Sequence, residues 1–198
     1  MTHYIITAWD RDGRVLKFDS FDSEATAVAR LAEVQDLGFT DAFRVVDPTP
    51  DVNIGPFWIA DPVAKSISVD VEALAGSRRG VIKAHARAYA DELEFAGFAY
   101  ADGAVSAGPD AVARLQGLLA RAERLEAAGQ AVDLRGRTDT GDNILISSAA
   151  EAGALFDSAA AHIAAVQEAL DDLYDAIDGM DLAELKAFRV GKWAGWPA

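Results

Sequence analysis

The groups whose types could carry chemistry in this 198-residue chain are three histidines, 32 acidic side chains and four tryptophans. His3, His85 and His162 fall in three separate predicted elements. No His-Glu-x-x-His or comparable spacing joins them into a metal site or a general base. His162, beside Ile163, reads as the flank of a packed helix. Asp171, Asp172, Asp175, Asp178 and Asp181 form an acidic stripe whose oxygens suit a hard cation. Carboxylates at i and i+4 also keep an exposed face solvated, and the stripe is read that way. Asp139-Thr140-Gly141-Asp142-Asn143 lacks the alternating ligands and distal glutamate of a calcium loop and reads as a turn. There is no Gly-x-Gly-x-x-Gly, Walker loop or Gly-x-Ser-x-Gly elbow to support nucleotide binding or serine hydrolysis. With no cysteine, disulfides, thiolate metal sites and thiol nucleophiles are excluded. The expectation is a protein without catalytic residues, metal or cofactor.

The elements that must position these groups fall into two parts. His3–Trp9 and Arg14–Phe18 read as strands joined by Asp10-Arg11-Asp12-Gly13, whose Asp-Gly step suits a hairpin. Asp22 or Ser23 can cap a helix from Glu24 to Leu37, with Ala27, Val28, Leu31 and Val34 at helical spacing and Gly38 as its stop. Phe43–Val46 is a third strand, Pro48-Thr49-Pro50 a break, and Phe57–Ile59 and Ser66–Val69 two shorter strands around an Asp61-Pro62 turn. Trp9 and Trp58, in strand-like stretches, are expected in the core. After Gly76 alanine and charged residues take over. The fold class is therefore α+β: a small ββαβ-like attachment domain over 1–73, then a mainly α-helical domain over 74–198 with one β-hairpin and a long heptad-patterned helix.

In the second part, helices are expected over Arg78–Phe95 and from Pro109-Asp110 to Gly129, with a short strand allowed at Phe98–Tyr100. A hairpin with a polar turn follows between Ala131 and Ile146. The long helix opens at Ser147 or Ser148, and Ser148 with Glu151 fits a capping box. Its seam, Phe156, Ala159, Ile163, Val166, Leu170, Leu173, Ile177 and Met180, steps by alternating threes and fours, the period that keeps one stripe facing a partner helix. That partner is either internal or another copy. Asp181 can cap a short helix through Phe188. Trp193 and Trp196 in the tail either anchor a partner or fold back over their own core.

A formal charge of -14 opposes binding to nucleic acid or to an anionic membrane. The first residues lack a basic segment followed by an apolar one, and no apolar run approaches the roughly 18 residues that span a bilayer. The expectation is synthesis in the cytoplasm without a signal peptide, and no membrane insertion.

The stretch from Lys83 to Met180 resembles an uncharacterised domain family of tailed-phage and prophage proteins, often in tail-fibre or tail-associated chains. The resemblance rests on Lys83-Ala84-His85-Ala86-Arg87 leading to Ala96-Gly97-Phe98-Ala99-Tyr100, then Thr138–Asn143, Ile144-Leu145-Ile146-Ser147, and His162 in the long helix. It covers about half the chain and departs from the family's pattern at Arg137, where a tryptophan-like residue is expected. It implies a structural or assembly role at the phage tail, with other tail or fibre proteins as partners, location in the virion, and a homo-oligomer, with a trimer favoured. An assembly chaperone absent from the mature particle is the alternative.

Overall fold

The computed structural model describes residues 2–47, 56–100, 103–137 and 143–197. The Pro48-Thr49-Pro50 break and the turn over 138–142 lie outside the described residues. The chain is mixed α+β and divides into two compact units, 1–78 and 79–198.

In the first unit β1 (Thr2–Trp9), β2 (Val15–Phe21) and β3 (Phe43–Asp47) form an antiparallel sheet of order β2-β1-β3, with α1 (Glu24–Asp36) joining β2 to β3. The first turn is built as its sequence requires. Asp10 Oδ1 accepts the amides of Asp12 and Arg14 at 2.9 Å, and Gly13 takes φ +82°, where a side chain would be strained. Ser23 caps α1, its Oγ accepting from the Thr26 amide at 3.4 Å.

Alternation along β1 divides its side chains between two faces. Tyr4 and Ile6 enter a core with Val15, Phe43, Val45, Trp58 and Ala60, the last two supplied by β4 (Trp58–Asp61), which pairs with β5 (Ser66–Val69). Strand β4 begins at Trp58 rather than Phe57. Its hairpin is fastened to the first turn by the Ala60 amide donating to the Gly13 carbonyl at 2.7 Å. His3 and Ile5 take the opposite face, where α1 packs. There Arg44 approaches His3 Nδ1 at 3.4 Å and pairs with Glu24 of α1 at 2.6 Å.

The second helix, α2 (Val71–Ala96), starts seven residues before the expected Arg78. Asp70 explains this: its Oδ1 accepts the Ala73 amide at 2.9 Å, and its own amide donates to the Phe57 carbonyl at 2.7 Å. Gly76 and Gly80 lie within the helix facing open space, so neither breaks it. The division between the two units falls after Arg78, within α2.

The second unit contains two hairpins where one was expected. β6 (Phe98–Tyr100) pairs with β7 (Gly103–Val105), and β8 (Leu134–Arg137) with β9 (Asn143–Ile146). Gly97, at φ +75°, ends α2 with its amide on the Leu93 carbonyl at 3.0 Å, and the Ala107 amide returns to the Glu94 carbonyl at 3.1 Å. Helix α3 (Pro109–Ala127) and α4 (Ala149–Gly179) enclose a core of Leu115, Ala122, Val132, Leu134, Ile144, Ile146, Leu155 and Ala159 with both hairpins. The C-terminal half of α4 runs antiparallel to α2. Leu93 O meets His162 Nε2 at 3.1 Å, Arg87 meets Gln167 at 3.1 Å, Lys83 meets Asp178 at 2.7 Å, and Arg79 donates to Met180 O at 2.9 Å. Ala86 and Ala90 of α2 are fully buried.

The start of α4 differs in detail from a capping box. Ser148 Oγ accepts the Glu151 amide at 3.1 Å as expected. Glu151, however, reaches past Ser148 to Ser147, accepting its amide at 2.7 Å and its hydroxyl at 2.8 Å. Glu126 of α3 accepts the Ala149 amide at 2.7 Å. Two carboxylates thus meet the positive end of the helix dipole. The Ser147 bonds hold the Glu151 carboxyl below its usual 4.5. A carboxyl depressed by folding stabilises the fold above its unfolded pKa, and that contribution is lost as pH falls through the lower folded value. Glu151→Gln is therefore expected to flatten the fall in stability below about pH 4.5, read from urea midpoints measured against pH. An unchanged acid limb would show that the contact carries no folding energy.

Candidate functional site

The eight expected seam positions divide by burial. Ala159, Val166, Leu170, Leu173 and Ile177 are buried, and Phe156, Ile163 and Met180 are half-buried. The buried stripe continues towards the N-terminus through Leu155 and Ala152 rather than through Phe156 alone. All of this burial arises within a single chain, so the seam is an internal packing surface.

The tail tryptophans are also engaged at home. Trp196 Nε1 donates to the Val190 carbonyl at 2.9 Å, and its ring lies 5.4 Å from Tyr89 on α2 and 5.4 Å from Trp193 at 87°. They follow α5 (Leu182–Ala187), which Asp181 and Glu184 start with a reciprocal capping box, and a 3-10 turn over Val190–Lys192. Both rings stay half-buried, leaving part of each in water.

The histidines are not brought together. His3 is buried on the α1 face of β1, His85 is exposed on α2, and His162 donates to a backbone carbonyl. Among the described residues no three or more His, Asp or Glu side chains are placed to hold a metal ion. On the acidic stripe Asp171, Asp172, Asp175, Asp178 and Asp181 are exposed, Asp178 pairs with Lys83, and Asp181 caps α5.

The concave surface that sequence reasoning missed lies in the first unit. Strand β1 runs to Trp9, but its pairing with β3 stops at Ile6 opposite Phe43. Its register against β2 shifts between Ile6 and Ala8 and again before Trp9, the signature of a bulge. Beyond that point a slot of about 340 Å³ opens, with Thr7, Ala8 and Trp9 on one side and the 38–42 loop on the other. The loop is fixed at its base. Gly38 at φ +100° ends α1, the Phe39 amide reaches the Val34 carbonyl at 3.3 Å, and Gln35 Nε2 holds the Ala42 carbonyl at 3.0 Å. Phe39 is 49% exposed at the slot, and Trp9 packs edge-on against Phe43 at 5.7 Å. A signal for the slot did exist in the sequence. The first predicted strand is longer than the third, so part of one edge has no neighbour.

No family model, curated protein or solved structure matches this chain.

A second hollow, of about 450 Å³, lies over Phe18, Asp19, Ser20, Phe21 and Arg30. Its cation is already engaged, because Arg30 lies 2.8 Å from Glu33 and 3.9 Å from Asp19, and the Glu33 contact raises the guanidinium pKa further. Of the two, the slot offers the less satisfied surface. No helix among the described residues is long and apolar enough to cross a membrane.

Proposed function

We propose that this chain is a non-enzymatic structural component of a tailed-phage or phage-like particle, tail-fibre or baseplate associated, acting through protein–protein assembly. The observation that carries the reading is where the polar and aromatic groups go. Arg87, Gln167, His162 and Trp196 are committed to contacts within their own unit, while apolar side chains are left exposed and Thr7–Trp9 lack a strand partner on the β3 side among the described residues. Leu16, Phe39, Phe95 and Leu145 are among those exposed apolar groups. Such a surface offers area and backbone hydrogen bonds to another chain. The resemblance of 83–180 to phage tail-associated chains supplies the kind of assembly. Partners are other tail or fibre proteins and further copies of this chain. Because the α4 seam is covered within one chain, a trimer uses other surfaces.

The test combines proteomics of purified particles with a solution mass. The expected result is the protein in mature particles and a species three times the 21.0 kDa chain mass. Presence during assembly but absence from finished particles would favour the tail-fibre chaperone, and absence from both would overturn the assembly reading.

A further inference from the structure

We infer that the slot at the end of the three-stranded sheet binds an extended, basic segment of a partner polypeptide. The segment adds a short strand to Thr7–Trp9 and sets an arginine or lysine against Asp41. Three observations converge. First, β1 outruns β3, and no strand among the described residues pairs with Thr7–Trp9 on that side. An extended peptide can take the position that β3 vacates and supply the missing ladder partners, the usual mode of strand addition.

Second, the slot's lining offers both backbone and apolar side chains to an extended chain. Its opposing wall is the 38–42 loop, held by the Gln35 and Phe39 hydrogen bonds, and Phe39 and Trp9 offer apolar contact to alternate side chains.

Third, the electrostatics select a cation. The loop follows directly from the C-terminus of α1, the negative end of a helix dipole, and the last turn of α1 contains no basic residue. Asp36 closes that turn and Asp41 lines the slot, both exposed, and no ion pair to either is present among the described residues. An acidic or neutral segment gains nothing from this field, whereas arginine forms a charge-assisted bond in it.

The inference deepens the assembly reading by naming the chemistry of one partner, but it stands on the slot alone. Peptide binding and particle location can each fail without the other. The experiment titrates the full chain, labelled with nitrogen-15, with acetyl-Val-Arg-Val-Arg-Val-amide and separately with its Glu counterpart. Amide shifts are expected at Thr7–Trp9 and Gly38–Ala42, with the basic peptide binding at least about tenfold more tightly than the acidic one. Asp41→Lys should weaken the basic peptide about tenfold without moving the melting temperature, whereas Asp22→Lys, an equal charge change elsewhere on the unit, should leave it unaltered. N-methylation of alternate peptide amides should abolish binding. Shifts confined to other surfaces, equal affinity for the acidic peptide, equal loss in the two lysine variants, or full binding by the N-methylated peptide would each overturn the inference.

Discussion

Gly97→Ala is expected to destabilise the second unit by about 3–5 kcal/mol, at the upper end of single-residue effects. Two costs combine. At φ +75° any side chain carries left-handed strain of about 1 kcal/mol or more. A Cβ at this position would also lie 1.9 Å from the Val105 carbonyl oxygen and 2.6 Å from Ser106 Cα. Both are backbone atoms, so the β6–β7 hairpin would have to leave the end of α2. Gly129→Ala separates the two costs, because Gly129 has φ +67° and nothing within 4 Å of the added carbon. It should lose only about 1 kcal/mol. Urea denaturation followed by amide exchange in the second unit measures both variants, and equal losses would refute the close approach at Gly97.

Trp58→Ala should cost the first unit about 3–5 kcal/mol. The indole is 1% exposed, stands edge-on to Tyr4 at 5.2 Å, and lies 4.7 Å from Phe18. Removing it empties the centre of the layer between the sheet and the β4–β5 hairpin. At roughly 0.05–0.15 kcal/mol per residue, a unit of this size has little stability beyond such a loss. Amide dispersion over 2–47 and 56–78 is therefore expected to collapse in the variant. Trp58→Phe, which keeps an aromatic ring in place, should retain most of it. A variant with alanine that keeps full dispersion and an unchanged urea midpoint would show that the cluster does not hold the unit together.

What was legible in the sequence was what local chemistry controls. Ser23, Ser148 and Asp181 cap helices because a side-chain oxygen needs only the next turn as its partner. The Asp10–Gly13 turn and the pairing of Leu134–Arg137 with Asn143–Ile146 were equally local. The start of α2 was hidden because Gly76 resembles punctuation, although a glycine costs only about 1 kcal/mol in an exposed helix. The sequence allows a short strand at Phe98–Tyr100, where β6 lies, but its three-residue partner β7, Gly103–Val105, is too short for a period to emerge. On α4 the pattern favoured Phe156, yet adjacent Leu155 is the more deeply buried, and only the positions of α3 and the hairpins decide between two neighbouring apolar residues. The overhang of the first strand was signalled by its length, but the slot also needs the 38–42 loop as its opposite wall. That is a tertiary fact, as is the return of Trp196 onto Tyr89.

The placement of Trp58 also bears on how the chain is made. Tyr4 and Ile6 leave the ribosome well before their cover, which arrives only with β4, some fifty residues later. Closing so long a loop is slow relative to forming a hairpin or a helix. Until then the nascent chain carries a β1–β2 ribbon with one apolar face open to water, a species prone to unintended pairing at high concentration. A lower expression level, which keeps such chains dilute, should therefore improve the yield of folded protein through the first unit, whose β1 waits longest for its partner.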